Sequence, residues 1–170
     1  MPTLPHTGLQ TPDQPRYEVT ACRELILLRG TPFLATISHG HRHIGTAQSY
    51  GDGAPTEFVP HGDFATADFA SFADACRLDD NPVSLSLLLD LLIEEYNVAR
   101  SLRAQLRNGR TMLREVTADG TRITGTAAIP DSAAGRKRLR EALGQPLAPG
   151  AVTEFWNGSI WEPLTGASES

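Results

Sequence analysis

Three histidines stand at alternate positions in the first third of the chain, at His39, His41 and His43. In an unbroken β-strand such residues share one face, where their imidazoles could converge on Zn²⁺. A predicted turn at His39 removes it from the strand, so that His61 or Asp63 must supply a third ligand. We therefore take His41, His43 and His61 as candidate metal ligands. A solvent-facing polar strand is the interpretation that we favour, because no cysteine or glutamate stands at a standard ligand spacing.

Two further motifs could carry chemistry. The loop Gly51-Asp52-Gly53 could present backbone N–H groups to an anion, but it lacks the lysine and the strand–loop–helix context of a phosphate-binding loop. We therefore favour a tight turn. Glu94 and Glu95 are adjacent on a predicted helix, so their side chains point about 100° apart and cannot face each other as an acid/base pair. We interpret them as the solvated edge of the helix, and we assign no catalytic residue.

Basic and aromatic residues in the second half of the chain suggest binding. Four basic residues crowd a short predicted helix, and four arginines line the end of the long helix before it: Arg136, Lys137, Arg138 and Arg140, and Arg100, Arg103, Arg107 and Arg110. Basic residues toward a helix C-terminus suit the helix dipole. The alternative is a patch for phosphates or for an acidic protein surface. Trp156 and Trp161 lie on opposite strand phases around a predicted turn, which predicts one buried tryptophan and one exposed contact residue. The candidate binding residues are Arg136, Arg138, Arg140, Trp156 and Trp161.

Composition narrows the class of protein. The 170 residues are 40% hydrophobic and carry a formal net charge of −5, which argues against generic binding to the DNA backbone. Any nucleic-acid surface must therefore be a local patch. The longest apolar run, Leu85 to Ile93, is too short to cross a bilayer. Cys22 and Cys76 form no paired motif, which is typical of reduced thiols in a cytoplasmic protein. We expect a cytoplasmic protein with no membrane contact and no cofactor.

The chain is predicted to form one domain with flexible ends. Residues 1–16 contain four prolines and no secretory signal pattern, and we expect a disordered leader there. Residues 17–164 are predicted to form a single α+β domain. Residues 165–170 are predicted to be a flexible tail.

The first half of the domain is predicted to be a β-meander followed by two helices. Strands are predicted over 17–29, 31–38, 41–48 and 56–59, with a turn at His39-Gly40 that pairs Ala35 with Ile44. Asp63 or Thr66 is the expected cap of a helix to about Arg77, whose buried face is Phe69, Phe72, Ala73 and Cys76. Ser84 is expected to cap a long helix to about Arg107, whose first half is apolar almost all round.

The last third is predicted to contain two hairpins and a short helix. One hairpin turns at Asp119-Gly120, and the other at Asn157-Gly158, in a type I′ turn. A helix from Asp131 or Ser132 ends at Gly144. The predicted fold class is α+β: an antiparallel β-meander packed against one long and two shorter helices, with a C-terminal β-hairpin.

One series of residues resembles a group of small uncharacterised proteins of bacteriophages, prophages and plasmids. It comprises the strand end His43-Ile44-Gly45-Thr46-Ala47, the Gly51-Asp52-Gly53 loop and a helix that contains phenylalanine. The segments Leu89-Asp90-Leu91-Leu92-Ile93-Glu94-Glu95-Tyr96 and Arg110-Thr111-Met112-Leu113-Arg114 and a short basic helix complete the series. The resemblance runs from about residue 25 to 145. Ser49, Tyr50 and Ala54 depart from the loop pattern of the group. The group has no established activity, so the resemblance implies a setting and no catalytic residue.

Three functions remain open at this point. We favour a non-catalytic accessory protein of a mobile genetic element, phage or plasmid, that binds a host or element-encoded macromolecule. Its partner is expected to be another protein or a second copy of the chain, through the apolar helix 84–107 or the aromatic terminal hairpin. One alternative is a nucleic-acid-binding protein that uses the arginine clusters. The other is a metal-binding enzyme centred on His41, His43 and His61.

Overall fold

The computed structural model describes residues 1–25, 30–117, 120, 122–127, 132–143 and 150–164. The chain is mixed α+β, as predicted, with antiparallel sheets, three helices and a C-terminal hairpin. It divides into two compact units, Met1–Asn97 (unit 1) and Val98–Ser170 (unit 2), where the sequence predicts one domain. The predicted tail 165–170 lies outside the described residues.

Unit 1 contains a four-stranded antiparallel meander in the order β1-β2-β3-β4. The strands are β1 (Tyr17–Glu24), β2 (Phe33–His39), β3 (Arg42–Ser49) and β4 (Glu57–Pro60). Residues 26–29 of the predicted first strand lie outside the described residues. The meander itself is confirmed.

The predicted register of β2 with β3 was wrong. The turn lies at Gly40 and His41, and Ala35 pairs with Ala47 instead of Ile44. Gly40 takes the positive φ of 58° that the turn requires. The pairing shifts between Ile37 and Ser38, and this irregularity allows both Ile44 and Ala47 to be buried although they stand an odd number of residues apart.

Two helices and a short hairpin follow the meander, and the second helix extends past Asn97, the last residue of unit 1. Helix α1 spans Thr66–Ala75 and buries Phe69, Phe72 and Ala73, as predicted. Its N-cap is Ala65, which forms no side-chain cap, so neither predicted capping residue holds that position. After it come β5 (Arg77–Leu78), β6 (Asn81–Pro82) and α2 (Leu85–Arg107). The Ser84 hydroxyl accepts a hydrogen bond from the Leu87 backbone N–H at 3.2 Å, which confirms the predicted cap of α2.

The apolar first half of α2 lies in the core of unit 1. Leu88, Leu89, Leu91, Leu92 and Ile93 are all buried there. The core also contains the side chains that β1–β3 turn inward, and Tyr17 contacts the rings of Phe69 and Phe72 edge-on. Most of the leucines that suggested an interface along this helix are therefore buried within unit 1.

The N-terminal segment packs on unit 1, where the sequence predicts a disordered leader. Leu9 is fully buried, and Gln10 and Arg77 exchange two backbone hydrogen bonds. This isolated bridge joins the segment to β5 and satisfies the backbone N–H and carbonyl of Gln10. Proline content alone does not reveal such an attachment, because the partners stand far away in the sequence.

Unit 2 is built on a second antiparallel sheet in the order β10-β9-β7-β8. Its elements are β7 (Thr111–Val116), β8 (Arg122–Ala127), α3 (Ala133–Leu143), β9 (Val152–Trp156) and β10 (Trp161–Pro163). Both predicted hairpins are present. The Ser132 hydroxyl caps α3 by accepting a hydrogen bond from the Gly135 N–H at 3.0 Å. Three predicted turn and boundary residues, Asp119, Asp131 and Gly144, lie outside the described residues.

The terminal hairpin closes with a longer turn than predicted. Trp156 pairs with Trp161, which leaves four residues, Asn157–Ile160, in the connection. The Asn157 Oδ1 accepts hydrogen bonds from the N–H groups of Ser159 and Ile160. Within this connection only Gly158 has a positive φ, whereas a type I′ turn requires two such residues.

Candidate functional site

The structure brings two of the three candidate metal ligands, His43 and His61, into contact. His41 is exposed in the β2–β3 turn, away from the strand face where it was expected. The His43 Nε2 lies 2.8 Å from the Gly45 carbonyl oxygen. Because a carbonyl oxygen only accepts, this nitrogen carries the proton. The His43 ring stacks on the His61 ring, with the ring centroids 4.6 Å apart. Among the residues that the structure describes, no three His, Cys, Asp or Glu side chains are grouped so that they could hold a metal ion.

Two of the three candidate arginines on α3 contact other parts of unit 2. The Arg136 guanidinium lies over the Phe155 ring at 5.2 Å, and the Arg140 Nε donates a hydrogen bond to the Leu164 carbonyl at 2.7 Å. Arg138 is exposed. These contacts give Arg136 and Arg140 a packing role in unit 2.

The expected exposed tryptophan does not occur. Trp156 and Trp161 are each only 8% exposed and meet edge-on with ring centroids 5.4 Å apart. Because they form a direct cross-strand pair, their side chains share one face of the hairpin. Arg114 lies over the Trp161 ring at 4.6 Å and forms an ion pair with Glu154.

Glu95 is enclosed, contrary to its interpretation as part of a solvated helix edge. Its Oε2 accepts hydrogen bonds from the backbone N–H groups of His6 and Thr7 and from the Thr7 hydroxyl, at 2.9 to 3.1 Å. Burial raises the pKa of this carboxyl, and the three hydrogen bonds, which lower it, do not fully offset that effect. Glu94 beside it is exposed. The Glu95 carboxylate thus links the N-terminal segment to α2 by hydrogen bonds.

A concave surface lies at one end of the first sheet. It has a volume of about 460 Å³. We call it the sheet-end groove, and its lining residues are Arg23, Leu25, Pro32, Phe33, Leu34, Gln48, Ser49 and Tyr50. A cavity of this size falls within the range of small-ligand and side-chain pockets.

Strand register explains how the groove is assembled. Arg23 pairs with Leu34, and Leu34 pairs with Gln48, so these three side chains form a row across three strands. The neighbouring residues Ala35 and Ala47 point into the core, which places the row on the opposite, open face of the sheet. Leu25 continues the pairing through its N–H, which donates to the Pro32 carbonyl at 2.9 Å.

The loop Gly51-Asp52-Gly53 directly follows Tyr50, which lines the groove. Gly51 has a φ of +72° and approaches so closely that a Cβ added to it would stand 2.8 Å from the backbone nitrogens of Thr31 and Pro32. The Asp52 carboxylate accepts a hydrogen bond from the Ala54 N–H at 3.0 Å, as in an Asx turn. Because the Asp52 carboxylate accepts the N–H of its own loop, the arrangement is that of a tight turn.

A second surface feature is a row of arginines on α2. Arg100, Arg103 and Arg107 follow one another at three- and four-residue spacing, so they lie on one helix face, and all three are exposed. The two units differ in charge. Residues 1–97 contain five basic and thirteen acidic side chains, a net charge of −8, whereas residues 98–170 contain ten and seven, a net charge of +3.

No family model matches this chain, and comparisons with the curated proteins and with the solved structures found no significant similarity. Among the described residues, no helix combines the length and the hydrophobicity that a membrane crossing requires.

The sheet-end groove could not be predicted from the spacing of its residues in the sequence. Its lining comes from three strands, and only a correct register brings Arg23, Leu34 and Gln48 together. Two features of the sequence point to this groove. Leu34 is an apolar residue on the strand face that otherwise carries Thr36 and Ser38, and Tyr50 stands directly before the glycine loop.

Proposed function

We propose that this chain is a non-catalytic accessory protein of a phage or plasmid, and that it acts by binding a host or element-encoded protein in the sheet-end groove. The observation that supports this function is the apolar character of the groove. Leu25 and Tyr50 are each 65% exposed and Leu34 is 52% exposed, and all three line the same cavity. Contiguous exposed apolar side chains mark contact sites more often than isolated ones do.

The groove also has the shape of a contact site. Its floor is formed by paired strands, and Gly51 packs closely against the backbone of Pro32, which lines the groove. A rigid floor reduces the ordering entropy that is lost on binding. The phage or plasmid setting rests on the resemblance from about residue 25 to 145.

Site-specific cross-linking tests this function. We would replace Leu34 by the photo-cross-linker benzoylphenylalanine and irradiate bacterial cells that carry the phage or plasmid. Glu18 provides the control position, because it is exposed on β1 of the same sheet and does not line the groove. We expect one discrete protein adduct from position 34, none from position 18, and loss of the adduct when Tyr50→Asp is added. No adduct, or the same adduct from both positions, would refute protein binding at the groove.

A second candidate function, nucleic-acid binding, is favoured by the arginine row on α2. Three guanidinium groups on one helix face, in the half of the chain with a net charge of +3, could contact successive phosphates. The triple variant Arg100→Gln, Arg103→Gln, Arg107→Gln should then reduce both the affinity for duplex DNA or RNA and its salt dependence. Arg138→Gln is the matched control on α3. Absence of a mobility shift for the unaltered chain at low salt would exclude this function.

A further inference from the structure

We infer that the sheet-end groove is specific for an extended apolar peptide segment that carries a carboxylate. This inference rests on the proposed function and specifies the chemistry of the partner. It follows from the polar groups at the rim of the groove and from the hydrogen bonds that these groups already form.

Arg23 provides the positive charge of the site. It stands in the cross-strand row with Leu34 and Gln48, and its side chain is exposed. Among the residues that the structure describes, no carboxylate lies within ion-pair distance of its guanidinium. An arginine fork beside an apolar floor matches the two oxygens of a carboxylate.

The two hydroxyl groups of the groove are also hydrogen-bond donors toward a ligand. The Tyr50 hydroxyl accepts a hydrogen bond from the Gln48 Nε2 at 3.1 Å, and the Ser49 hydroxyl accepts one from the Gly51 N–H at 3.3 Å. Each hydroxyl therefore retains its own proton for a ligand. Arg23 stands at the opposite end of the cross-strand row from Glu57, whose carboxylate accepts a hydrogen bond from the Gln48 Nε2 at 3.4 Å. The Arg23 end is therefore the part of the groove that complements a ligand carboxylate.

The apolar part of the lining selects the rest of the segment. Leu25, Pro32, Phe33 and Leu34 provide hydrocarbon and aromatic surface between the donors. The row of Arg23, Leu34 and Gln48 crosses three strands on the open face of the sheet, so the groove admits an extended segment. An extended peptide with apolar side chains next to an aspartate or glutamate meets both requirements.

Titration by nuclear magnetic resonance tests the inference on the full chain. The probes are acetyl-Leu-Phe-Asp-Leu-amide, the matched peptide with asparagine in place of aspartate, and decanoate as a free amphipathic acid. We expect saturable shifts of the backbone amides of Arg23, Leu34 and Gln48 with the aspartate peptide. The asparagine peptide should bind about three- to fivefold more weakly, since an exposed ion pair contributes modestly.

Two variants separate charge recognition from general apolar binding. Arg23→Gln should abolish the preference for aspartate and leave the binding of the asparagine peptide unchanged. Arg42→Gln, at an exposed arginine at the other end of the sheet, should change neither. Amide resonances outside the groove report whether each variant remains folded.

The remaining outcomes distinguish this inference from the proposed function. Equal binding of both peptides, with no effect of Arg23→Gln, overturns carboxylate recognition but leaves protein binding at the groove intact. Binding of decanoate alone overturns it in favour of a free amphipathic acid. No binding of any probe, combined with a discrete adduct from position 34, overturns only the peptide chemistry. No binding and no adduct overturn both.

Discussion

The two units of this chain are stabilised by different means. Unit 1 has one continuous core of eighteen buried apolar residues. In the described part of unit 2, seven such residues form two smaller clusters, and arginine side chains cover the aromatic rings of both. A small core leaves a narrow margin of stability, and in unit 2 cation–π contacts and an ion pair supplement it. Replacement of a charged side chain should therefore lower the free energy of unfolding of unit 2 more than that of unit 1.

The surfaces of the two units differ as well. Unit 1 carries a net charge of −8 but has an apolar groove with an arginine at its rim, whereas unit 2 carries +3 and an exposed arginine row. Net charge alone would assign anion binding to unit 2 and exclude it from unit 1. A single site such as Arg23 can nevertheless carry a charge opposite in sign to the net charge of its unit.

The largest effect is expected from Phe69→Ala in unit 1. Phe69 is fully buried and its ring contacts Tyr17, Phe58 and Phe72, so truncation should lower the free energy of unfolding by about 3–5 kcal/mol. Urea unfolding followed by far-UV circular dichroism measures this loss.

The two tryptophans make this experiment a test of the comparison. Both lie in unit 2, so their fluorescence reports on that unit alone. We expect the fluorescence transition of Phe69→Ala to remain near its original midpoint. If it moves together with the dichroism transition, the two units unfold as one and their separate treatment is wrong.

A smaller effect is expected from Arg114→Met in unit 2. The substitution leaves the partly buried Glu154 without its ion-pair partner and removes the cation over Trp161, at a cost of about 2–3 kcal/mol. The fluorescence midpoint in urea measures it, and exposed Arg110→Met is the control. The double variant Arg114→Met, Glu154→Leu should recover most of the stability, because no buried charge is left unpaired. Failure to recover would mean that the cation–π contact dominates.

Two alanine substitutions test how closely the glycine loop packs against the backbone of Thr31 and Pro32 in unit 1. Gly53→Ala should cost about 1 kcal/mol, because its φ of +87° disfavours any side chain although its surroundings are open. Gly51→Ala should cost about 1 kcal/mol more, because the added Cβ also meets the backbone of Thr31 and Pro32. Urea midpoints by circular dichroism compare the two. Equal costs would show that the close approach relaxes easily.

The smallest effect concerns the pH dependence of unit 1. The folded-state pKa of Glu95 is raised by burial, so its contribution to stability is greatest below the carboxyl's pKa in the unfolded chain and is lost as the pH rises through the folded pKa. Glu95→Gln retains an acceptor oxygen for His6 and Thr7 and should remain within about 1 kcal/mol of the unaltered chain.

The pH series separates this effect from general acid stabilisation. The stability of Glu95→Gln relative to the unaltered chain should increase from about pH 4 to about pH 8. Glu18→Gln, at an exposed carboxylate on β1, should show no such trend. A constant difference for Glu95→Gln would mean that its carboxyl titrates normally.

Much of the local structure could be predicted from the sequence. The three- and four-residue spacing of Phe69, Phe72, Ala73 and Cys76 predicted the buried face of α1, and all four are buried. Ser84 was predicted to cap α2, and Asp131 or Ser132 to begin α3; both serines accept a capping hydrogen bond. These signals act over one or two turns of chain, and the residues that carry them are neighbours in sequence.

The candidate site was less predictable because its residues are distant in sequence. Proline content suggested that residues 1–16 do not pack, yet His6 and Thr7 contact Glu95, about ninety residues away. The alternate spacing of the histidines predicted that they share a strand face, but the turn at Gly40 and His41 places His41 outside the strand. Spacing predicts which residues share a face only when the strand boundaries are known.

By itself the sequence determined the α+β class, the order of strands and helices, and the uneven charge of the two halves, because periodicity, capping and composition are local or additive properties. Tertiary structure alone decided which side chains meet. One shift in the pairing of β2 with β3 buried both Ile44 and Ala47. The resulting register aligned Arg23, Leu34 and Gln48 across three strands. A groove assembled from such pairings depends on register, and register is fixed by the packing of the whole sheet against its core.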